Sequence, residues 1–163
     1  MSRRLVLGVD PGNARCGWGL VSSEEGRLAM VGAGCLSTGP SLARAERLRR
    51  VHAGLTEILE THRPDEMAVE QLFFNKNVGS AMAVGEARGV ALLAAAQHGI
   101  PVAEYTPSRV KEALSGSGRA SKDEVRLMVV MTLGLERPPR PDDVSDALAI
   151  ALTHLFWGAL TPR

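Results

Sequence analysis

Two carboxylates end predicted strands of the chain, and two more share one face of a predicted helix. Asp10 ends the first apolar run, and Glu70 ends a short apolar run in the middle of the sequence. Asp143 and Asp146 lie near the start of the last predicted helix, and their spacing puts both on one face of it. Ligands of open α/β sheets bind at the carboxyl ends of the strands. Asp10 and Glu70 meet at that end of the sheet if their strands are neighbours.

This group of carboxylates predicts a site for divalent cations. Carboxylates that converge repel each other and cannot all ionise at low cost. Mg²⁺ takes oxygen ligands and suits phosphate substrates. Two such ions about 3.5–4 Å apart stabilise the attacking and leaving oxygens of a displacement at phosphorus, and this chemistry needs no protein nucleophile. The sequence has no set of cysteines and histidines with the spacing of zinc ligands.

Hydrophobic periodicity and turn signals predict the elements that must position these residues. Ser41 is predicted to cap the first helix, Thr106 the third, and Ser121 with Glu124 forms a capping box for the fourth. Three antiparallel strands are followed by strands that alternate with helices, which predicts an α/β fold with a mixed sheet flanked by helices. The predicted strands are 4–10, 16–22, 28–37, 66–70 and 100–105, and the predicted helices are 42–63, 80–97, 107–114, 121–133 and 142–157.

The composition is that of an ordinary globular domain. The 163 residues carry a net charge of +1, so the total charge does not by itself indicate a nucleic-acid partner. We expect no membrane-spanning segment, because no apolar run is long enough. We expect no signal peptide, because Asp10-Pro11 ends the apolar run that follows Met1-Ser2-Arg3-Arg4 too early. Cys16 and Cys35 are expected to be reduced. These observations predict a single domain spanning 1–163 in the cytoplasm.

Four stretches of the sequence together resemble the RuvC-type Holliday junction resolvases. They match in order over nearly the whole chain: Gly8-Val9-Asp10-Pro11-Gly12, Val69-Glu70-Gln71-Leu72-Phe73, Gly85-Glu86-Ala87-Arg88-Gly89 and Asp143-Val144-Ser145-Asp146-Ala147-Leu148-Ala149. The resemblance implies a ribonuclease-H-like fold, a homodimer, and Mg²⁺- or Mn²⁺-dependent cutting of four-way DNA junctions. It assigns the catalytic and metal-binding positions to Asp10, Glu70, Asp143 and Asp146, and the register of the last motif selects Asp143 over Asp142.

We therefore predict an endonuclease that resolves four-way junctions in DNA recombination and repair. Two ions per active site hydrolyse a phosphodiester and leave 5′-phosphate and 3′-hydroxyl ends. A two-fold dimer matches a near-symmetric junction, so that two strands of like polarity are nicked. The helix of small residues around Gly85 and Gly89 is the predicted interface. The resemblance also implies branch-migration proteins of the same pathway as partners.

The loop after Glu70 is predicted to contact DNA. Phe73 has the position of an apolar wedge that stacks on or unstacks a base, and the family has an aromatic residue there. Asn75 and Lys76 are suited to contacts with phosphates or base edges. For Phe74, the sequence leaves core packing and DNA contact open.

A basic patch is predicted beside the scissile phosphate. Lys111 and Lys122 match basic positions of the family, and Arg109 and Arg119 are close to them in the sequence. The alternative, ordinary exposed charges on helices, stays open because acidic residues are interleaved with these four.

The glycines after Asp10 bear on the alternative functions. Gly12, Gly17 and Gly19 leave little side-chain bulk, which predicts clearance for a phosphodiester backbone. A Gly-x-Asp-x-Gly motif at the end of a strand also occurs at the start of sugar kinases and actin-like ATPases. Those proteins need two such domains that close over a nucleotide, and this chain is too short for both. A catalytically silent junction-binding module is disfavoured because unpaired buried carboxylates are costly. Nucleases that cut RNA or RNA–DNA hybrids share this fold, so the sequence leaves that function open as an alternative.

Overall fold

The computed structural model describes residues 2–12, 14–71 and 78–158. Five strands and five helices form within these ranges. The strands are β1 (Arg4–Pro11), β2 (Arg15–Glu24), β3 (Arg27–Ser37), β4 (Glu66–Glu70) and β5 (Val102–Tyr105), and the helices are α1 (Arg44–His62), α2 (Val78–Gln97), α3 (Pro107–Ser115), α4 (Lys122–Leu133) and α5 (Asp142–Trp157).

The strands form one mixed sheet in the order β3-β2-β1-β4-β5. β2 is antiparallel to both β1 and β3, whereas β4 runs parallel to β1 and β5. The register pairs Val9 with Val69 between β1 and β4. The next residues are Asp10 and Glu70, so both carboxylates stand at the same edge of the sheet, as the sequence predicts.

The two faces of the sheet are covered by different helices. Because successive side chains of a strand point to opposite faces, Val6 and Leu7 enter two separate cores. Val6 packs in the core that includes Leu148 and other residues of α5, together with residues of α3 and α4. Leu7 packs in the core that includes Leu55 of α1 and Ala91 of α2. The two layers of helices thus bury both faces of β1.

Helix α5 packs backbone against backbone on the sheet. A Cβ at Gly8 would lie 2.0 Å from the carbonyl oxygen of Ala147, and one at Gly17 would lie 2.1 Å from that of Asp143. A Cβ at Gly19 would also collide with a leucine of α5. The prediction that these glycines give clearance to DNA is therefore wrong for Gly17 and Gly19, whose space is filled by α5.

The helix ends agree with the predicted caps in two cases out of three. The Thr106 side chain accepts a backbone hydrogen bond at the start of α3, and Ser121 with Glu124 forms the capping box of α4. The prediction for Ser41 is wrong, because α1 begins after Ala43 without a side-chain cap. Residues 39–42 instead form a turn closed by a backbone hydrogen bond of 3.2 Å.

Helix α2 is the one helix in the described ranges that is long and apolar enough to cross a membrane by length and composition. The expectation that no run reaches this length is therefore wrong. A core helix passes the same test, and α2 buries Ala87, Ala91, Ala94 and Ala95 against the rest of the protein. Its apolar character is thus explained in part by packing on the sheet.

Candidate active site

All four predicted carboxylates line one cleft of about 360 Å³. Asp10 comes from the end of β1, Glu70 from the end of β4, and Asp143 and Asp146 from the first turns of α5. The sheet register and the packing of α5 on β1 and β2 bring these three elements together. The rest of the lining is basic or apolar: Pro107, Val110, Lys111, Lys122, Val125, Ala149 and Ile150.

Asp10 is the most perturbed of these carboxylates. Burial and then the negative charges of Asp146, Glu70 and Asp143 raise its pKa to about 7, against the opposing effect of Lys122. The Asp10 carboxyl group is therefore largely protonated below neutral pH unless a cation compensates the surrounding charge.

Two other carboxylates of the cleft share this behaviour. Burial, followed by the charge of Asp146, raises the pKa of Glu70, although Lys122 and Lys111 oppose the effect. Burial also raises the pKa of Asp146, against Lys122 and Arg126. Like charges crowded into a cleft are a common signature of functional sites, because stability alone gains nothing from them.

Three cationic side chains approach the carboxylates of α5. The Lys122 Nζ lies 4.0 Å from Asp146 Oδ2, and an Arg126 terminal nitrogen lies 3.7 Å from Asp146 Oδ1. The Arg15 Nε lies 3.3 Å from Asp143 Oδ2. Sequence analysis identified Lys122 but missed both arginines. For Arg126 a signal was present, since it follows Lys122 by one helical turn on α4.

Asp142 stands apart from this cleft. Its carboxylate pairs with Arg140 at 2.7 Å and with Arg126 at 3.3 Å, and it is not among the lining residues. The structure thus places Asp143 in the cleft and leaves Asp142 beside it, in agreement with the motif register.

The donor chemistry of the cleft fits a hard divalent cation. Four carboxylates supply the oxygen ligands that Mg²⁺ prefers. In residues 2–12, 14–71 and 78–158, no group of three His, Cys, Asp or Glu side chains is arranged to hold a metal ion. Arg15, Lys122 and Arg126 instead pair with Asp143 and Asp146. A bound cation would take over the role of these ion pairs in balancing the charge of the carboxylates.

The structure brings two of the four predicted basic residues to the cleft. Lys111 and Lys122 line it. Arg109 is exposed, with its guanidinium 4.9 Å from the ring centre of Trp157. Arg119 is exposed in the loop before α4 and does not line the cleft. The predicted contacts Phe73, Asn75 and Lys76, together with Phe74, lie outside the described residues.

A polar cluster at the other end of α5 was missed by sequence analysis. The buried His154 bonds to the Tyr105 hydroxyl, with its Nδ1 at 2.6 Å, and to Glu66 through Nε2. Glu66 in turn accepts a hydrogen bond of 2.6 Å from Arg4. This cluster ties α5 to β1, β4 and β5 far from the carboxylates.

The fold and the cleft define a class: a ribonuclease-H-like α/β protein with an acidic site at the carboxyl ends of the central strands. The model of the family described as crossover junction endodeoxyribonuclease RuvC matches residues 6–154. The chain belongs to this family, which confirms the resemblance found in the sequence.

Individual relatives agree with the family match. The crossover junction endodeoxyribonuclease RuvC of Pelotomaculum thermopropionicum is 52% identical over 150 residues, which cover 92% of each chain. That of Moorella thermoacetica is 53% identical over 159 residues, 98% of this chain and 95% of the relative.

Solved structures show the same fold. Thermus thermophilus RuvC in complex with Holliday junction substrate matches with a TM-score of 0.88 and 40% identity, covering 96% of both chains. The yeast mitochondrial Holliday junction resolvase Ydc2 matches with a TM-score of 0.68 and 14% identity, covering 94% of this chain and 78% of that one. The second likeness concerns the fold alone.

Proposed function

We propose that this protein is a structure-selective endonuclease that resolves four-way (Holliday) DNA junctions. The observation that carries the proposal is the convergence of Asp10, Glu70, Asp143 and Asp146 in one cleft of a chain that belongs to the RuvC family. The reaction is hydrolysis of a phosphodiester that leaves a 5′-phosphate and a 3′-hydroxyl. It would take place in DNA recombination and repair.

Two Mg²⁺ ions, or Mn²⁺ in their place, would be held by these four carboxylates. When bound, such ions activate water and stabilise the charge that develops at phosphorus. Asp10 would release a proton on binding, because burial and the neighbouring carboxylates raise its pKa to about 7 in the metal-free protein. Burial and the charge of Asp146 raise the pKa of Glu70 in the same direction. The four carboxylates can therefore balance the charge of bound cations without anionic groups from elsewhere in the chain.

The lysines of the cleft would orient the DNA strand. Lys111 and Lys122 stand beside the carboxylates, and their positive charge opposes the rise in the pKa of Glu70. They are positioned to attract a phosphate that the carboxylates alone would repel. Apolar side chains such as Val110, Val125 and Ile150 would limit the water that reaches the reacting group.

We further propose that a single ribonuclease-H-like domain acts as a homodimer in the cytoplasm. One side of α2 supports an interface, since the large side chains Val78, Met82 and Leu93 are exposed and a Cβ at Gly89 would meet nothing within 4 Å. Exposed apolar side chains on one helix are typical of surfaces that another chain covers. Branch-migration proteins of the same pathway are proposed as partners through family membership.

Cleavage of three substrates side by side tests the proposal. A four-way junction, a linear duplex and an RNA–DNA hybrid are incubated with the protein and Mg²⁺. Paired nicks in the junction alone, at symmetric positions and with ligatable ends, are expected. Equal cutting of all three substrates would contradict junction selectivity, and preference for the hybrid would favour the alternative of RNA cleavage.

A Glu70→Gln variant tests the role of the cleft. It removes one charge while keeping the shape, so cleavage should fall by at least 100-fold while junction binding is retained. Glu57→Gln, an exposed position on α1, is the matched control and should cut like the wild type. Wild-type cleavage by the Glu70 variant would show that the assigned site is wrong.

A further inference from the structure

A second cavity, of about 330 Å³, lies between α1, α2 and the start of β2. We term it the arginine pocket, and its lining includes Arg15, Arg44, Arg47, Leu48, Met82 and Glu86. We propose that the arginine pocket holds one unstacked nucleotide of the DNA strand that passes through the acidic cleft. This inference rests on the proposed function and names a substrate subsite for it.

The charge of the arginine pocket suits a nucleic acid. Among the described residues, its lining has three arginines, Arg15, Arg44 and Arg47, and a single acidic side chain, that of Glu86. Arg44 pairs with Glu86, with its Nε at 2.7 Å, and both groups face solvent. Exposed pairs of this kind contribute little to stability, so the arginine can exchange its partner for a phosphate at low cost.

Arg47 is held in place by the backbone. Its guanidinium donates to the carbonyl oxygens of Leu42, at 3.3 Å, and Pro40, at 3.1 Å. These bonds use two of the five N–H groups of the side chain. A positive charge that is oriented before the ligand arrives loses less conformational entropy on binding.

The floor of the pocket is apolar. Leu48 and Val51 of α1 face Met82, Ala83 and Ala87 of α2 across it. Its volume falls at the lower end of the range of about 300–1,000 Å³ that ligand pockets span, which suits a ligand of nucleotide size. An apolar floor with a cationic rim matches a nucleotide, whose base has flat apolar faces and whose phosphate is charged.

Arg15 and Gly12 bring the arginine pocket close to the acidic cleft. Arg15 lines the pocket, and its Nε lies 3.3 Å from the Asp143 carboxylate that lines the cleft. Gly12 also lines the pocket, and a Cβ placed there would be 3.9 Å from Asp143 Oδ1. This proximity supports the proposal that a strand with one phosphate in the cleft places a nearby nucleotide in the pocket.

Such a subsite gives a physical reason for junction selectivity. Extruding a base from a duplex costs a few kcal/mol of stacking and pairing, and the cost is least where the base is already unpaired. Bases at the exchange point of a four-way junction are easier to unstack than bases within a linear duplex. A pocket that must be filled before the strand seats in the cleft favours the junction.

Two variants test the pocket in the full-length protein with Glu70→Gln as background, which binds without cutting. Ala83→Phe fills the floor, and Arg44→Ala removes a rim charge. Junctions carry 2-aminopurine at each nucleotide beside the cut, because its fluorescence rises when the base is unstacked. Affinity for the junction and for a linear duplex is measured over a range of salt concentrations. Arg49→Ala and Ala53→Phe, at exposed positions of α1 that do not line the pocket, are the matched controls.

We expect Ala83→Phe to bind the junction about tenfold more weakly and to lose the fluorescence rise that the unmodified background shows. Arg44→Ala should weaken binding of the junction about threefold to tenfold and lower the salt slope by about 1. Both controls should stay within twofold. If Ala83→Phe lacks a cooperative thermal transition, Ala83→Leu fills part of the same pocket with a smaller side chain and replaces it.

Two results would overturn the inference. In the first, both pocket variants bind the junction and change the 2-aminopurine fluorescence as the controls do. Junction cutting by the wild type would then show that the proposed function still stands. The other is a change from dimer to monomer in sedimentation, which would assign the pocket to contact with a second copy of the chain. Failure of the wild type to cut the junction would instead refute the proposed function itself.

Discussion

Gly17 of β2 packs directly against the backbone of Asp143, and a Cβ at Gly17 would lie 2.1 Å from the Asp143 carbonyl oxygen and 2.9 Å from its Cβ. A helix backbone is far harder to displace than the end of a flexible side chain. The glycine therefore determines how closely the first turn of α5 approaches the sheet. It thereby sets the position of one carboxylate of the cleft.

Substituting Gly17 by alanine should displace the start of α5. We expect the free energy of unfolding to fall by about 1–3 kcal/mol, the usual cost of overpacking, and junction cleavage to fall by more than tenfold. Urea denaturation and a cleavage assay measure the two effects. Gly39→Ala is the control, since a Cβ there would come no closer than 3.8 Å to a neighbouring side chain at an exposed position, and it should be neutral or stabilising by up to about 1 kcal/mol. Wild-type behaviour of the Gly17 variant would mean that α5 adjusts freely.

The pKa of Asp10 predicts how the metal-free protein responds to pH. The pKa of its carboxyl group is raised from 3.8 to about 7 in the folded state. The folded state therefore binds more protons than the unfolded state between these two values, and the free energy of unfolding decreases as pH rises from about 4 to about 7. The limiting slope for one group is about 1.4 kcal/mol per pH unit.

Asp10→Asn cannot titrate and isolates this contribution. Urea denaturation of wild type and variant in EDTA, from pH 4.5 to 8, should give stability curves that diverge toward neutral pH, with the variant the more stable there. Parallel curves would show that Asp10 ionises normally.

Divalent cations should stabilise the folded protein through the same carboxylates. A ligand that binds only the folded state at 100 times its Kd adds about 2.7 kcal/mol to the free energy of unfolding. Saturating Mg²⁺ should therefore raise the Tm of the wild type and flatten its pH dependence, and EDTA should reverse both. Asp146→Asn should lose most of the shift, whereas the surface variant Glu57→Gln should keep it. An equal shift in both variants would place cation binding elsewhere.

Arg126 should stabilise the metal-free cleft. Its side chain is 17% exposed and lies near Asp142, Asp146 and Asp123. Arg126→Met keeps an apolar stem and removes the charge, so we expect the free energy of unfolding to fall by about 1–3 kcal/mol in EDTA. The loss should be smaller in Mg²⁺, because the cation compensates the repulsion among the carboxylates. Arg49→Met removes an exposed ion pair and should change stability by less than about 0.5 kcal/mol. A variant as stable as the wild type in EDTA would contradict this role.

The carboxylate cleft was predictable because its signals are local. Asp10 and Glu70 end recognisable strands, and the spacing of Asp143 and Asp146 defines a helix face, so fold class and convergence follow from short patterns and a parallel pairing. The roles of Arg15 and Gly17 were not predictable, because both are defined by contact with α5, which lies far along the chain. Periodicity carries no information on which distant element fills the space above a glycine.

Helix α5 buries eleven of its sixteen residues and contacts both β1 and β2. We expect the backbone amides of its buried residues to exchange with solvent mainly when the central sheet opens, so their hydrogen exchange should follow global unfolding. Asp143 and Asp146 are carried by this slowly exchanging segment. A partly opened protein that keeps its sheet therefore keeps both carboxylates in place, and the acidic cleft and the native fold are lost in the same cooperative step.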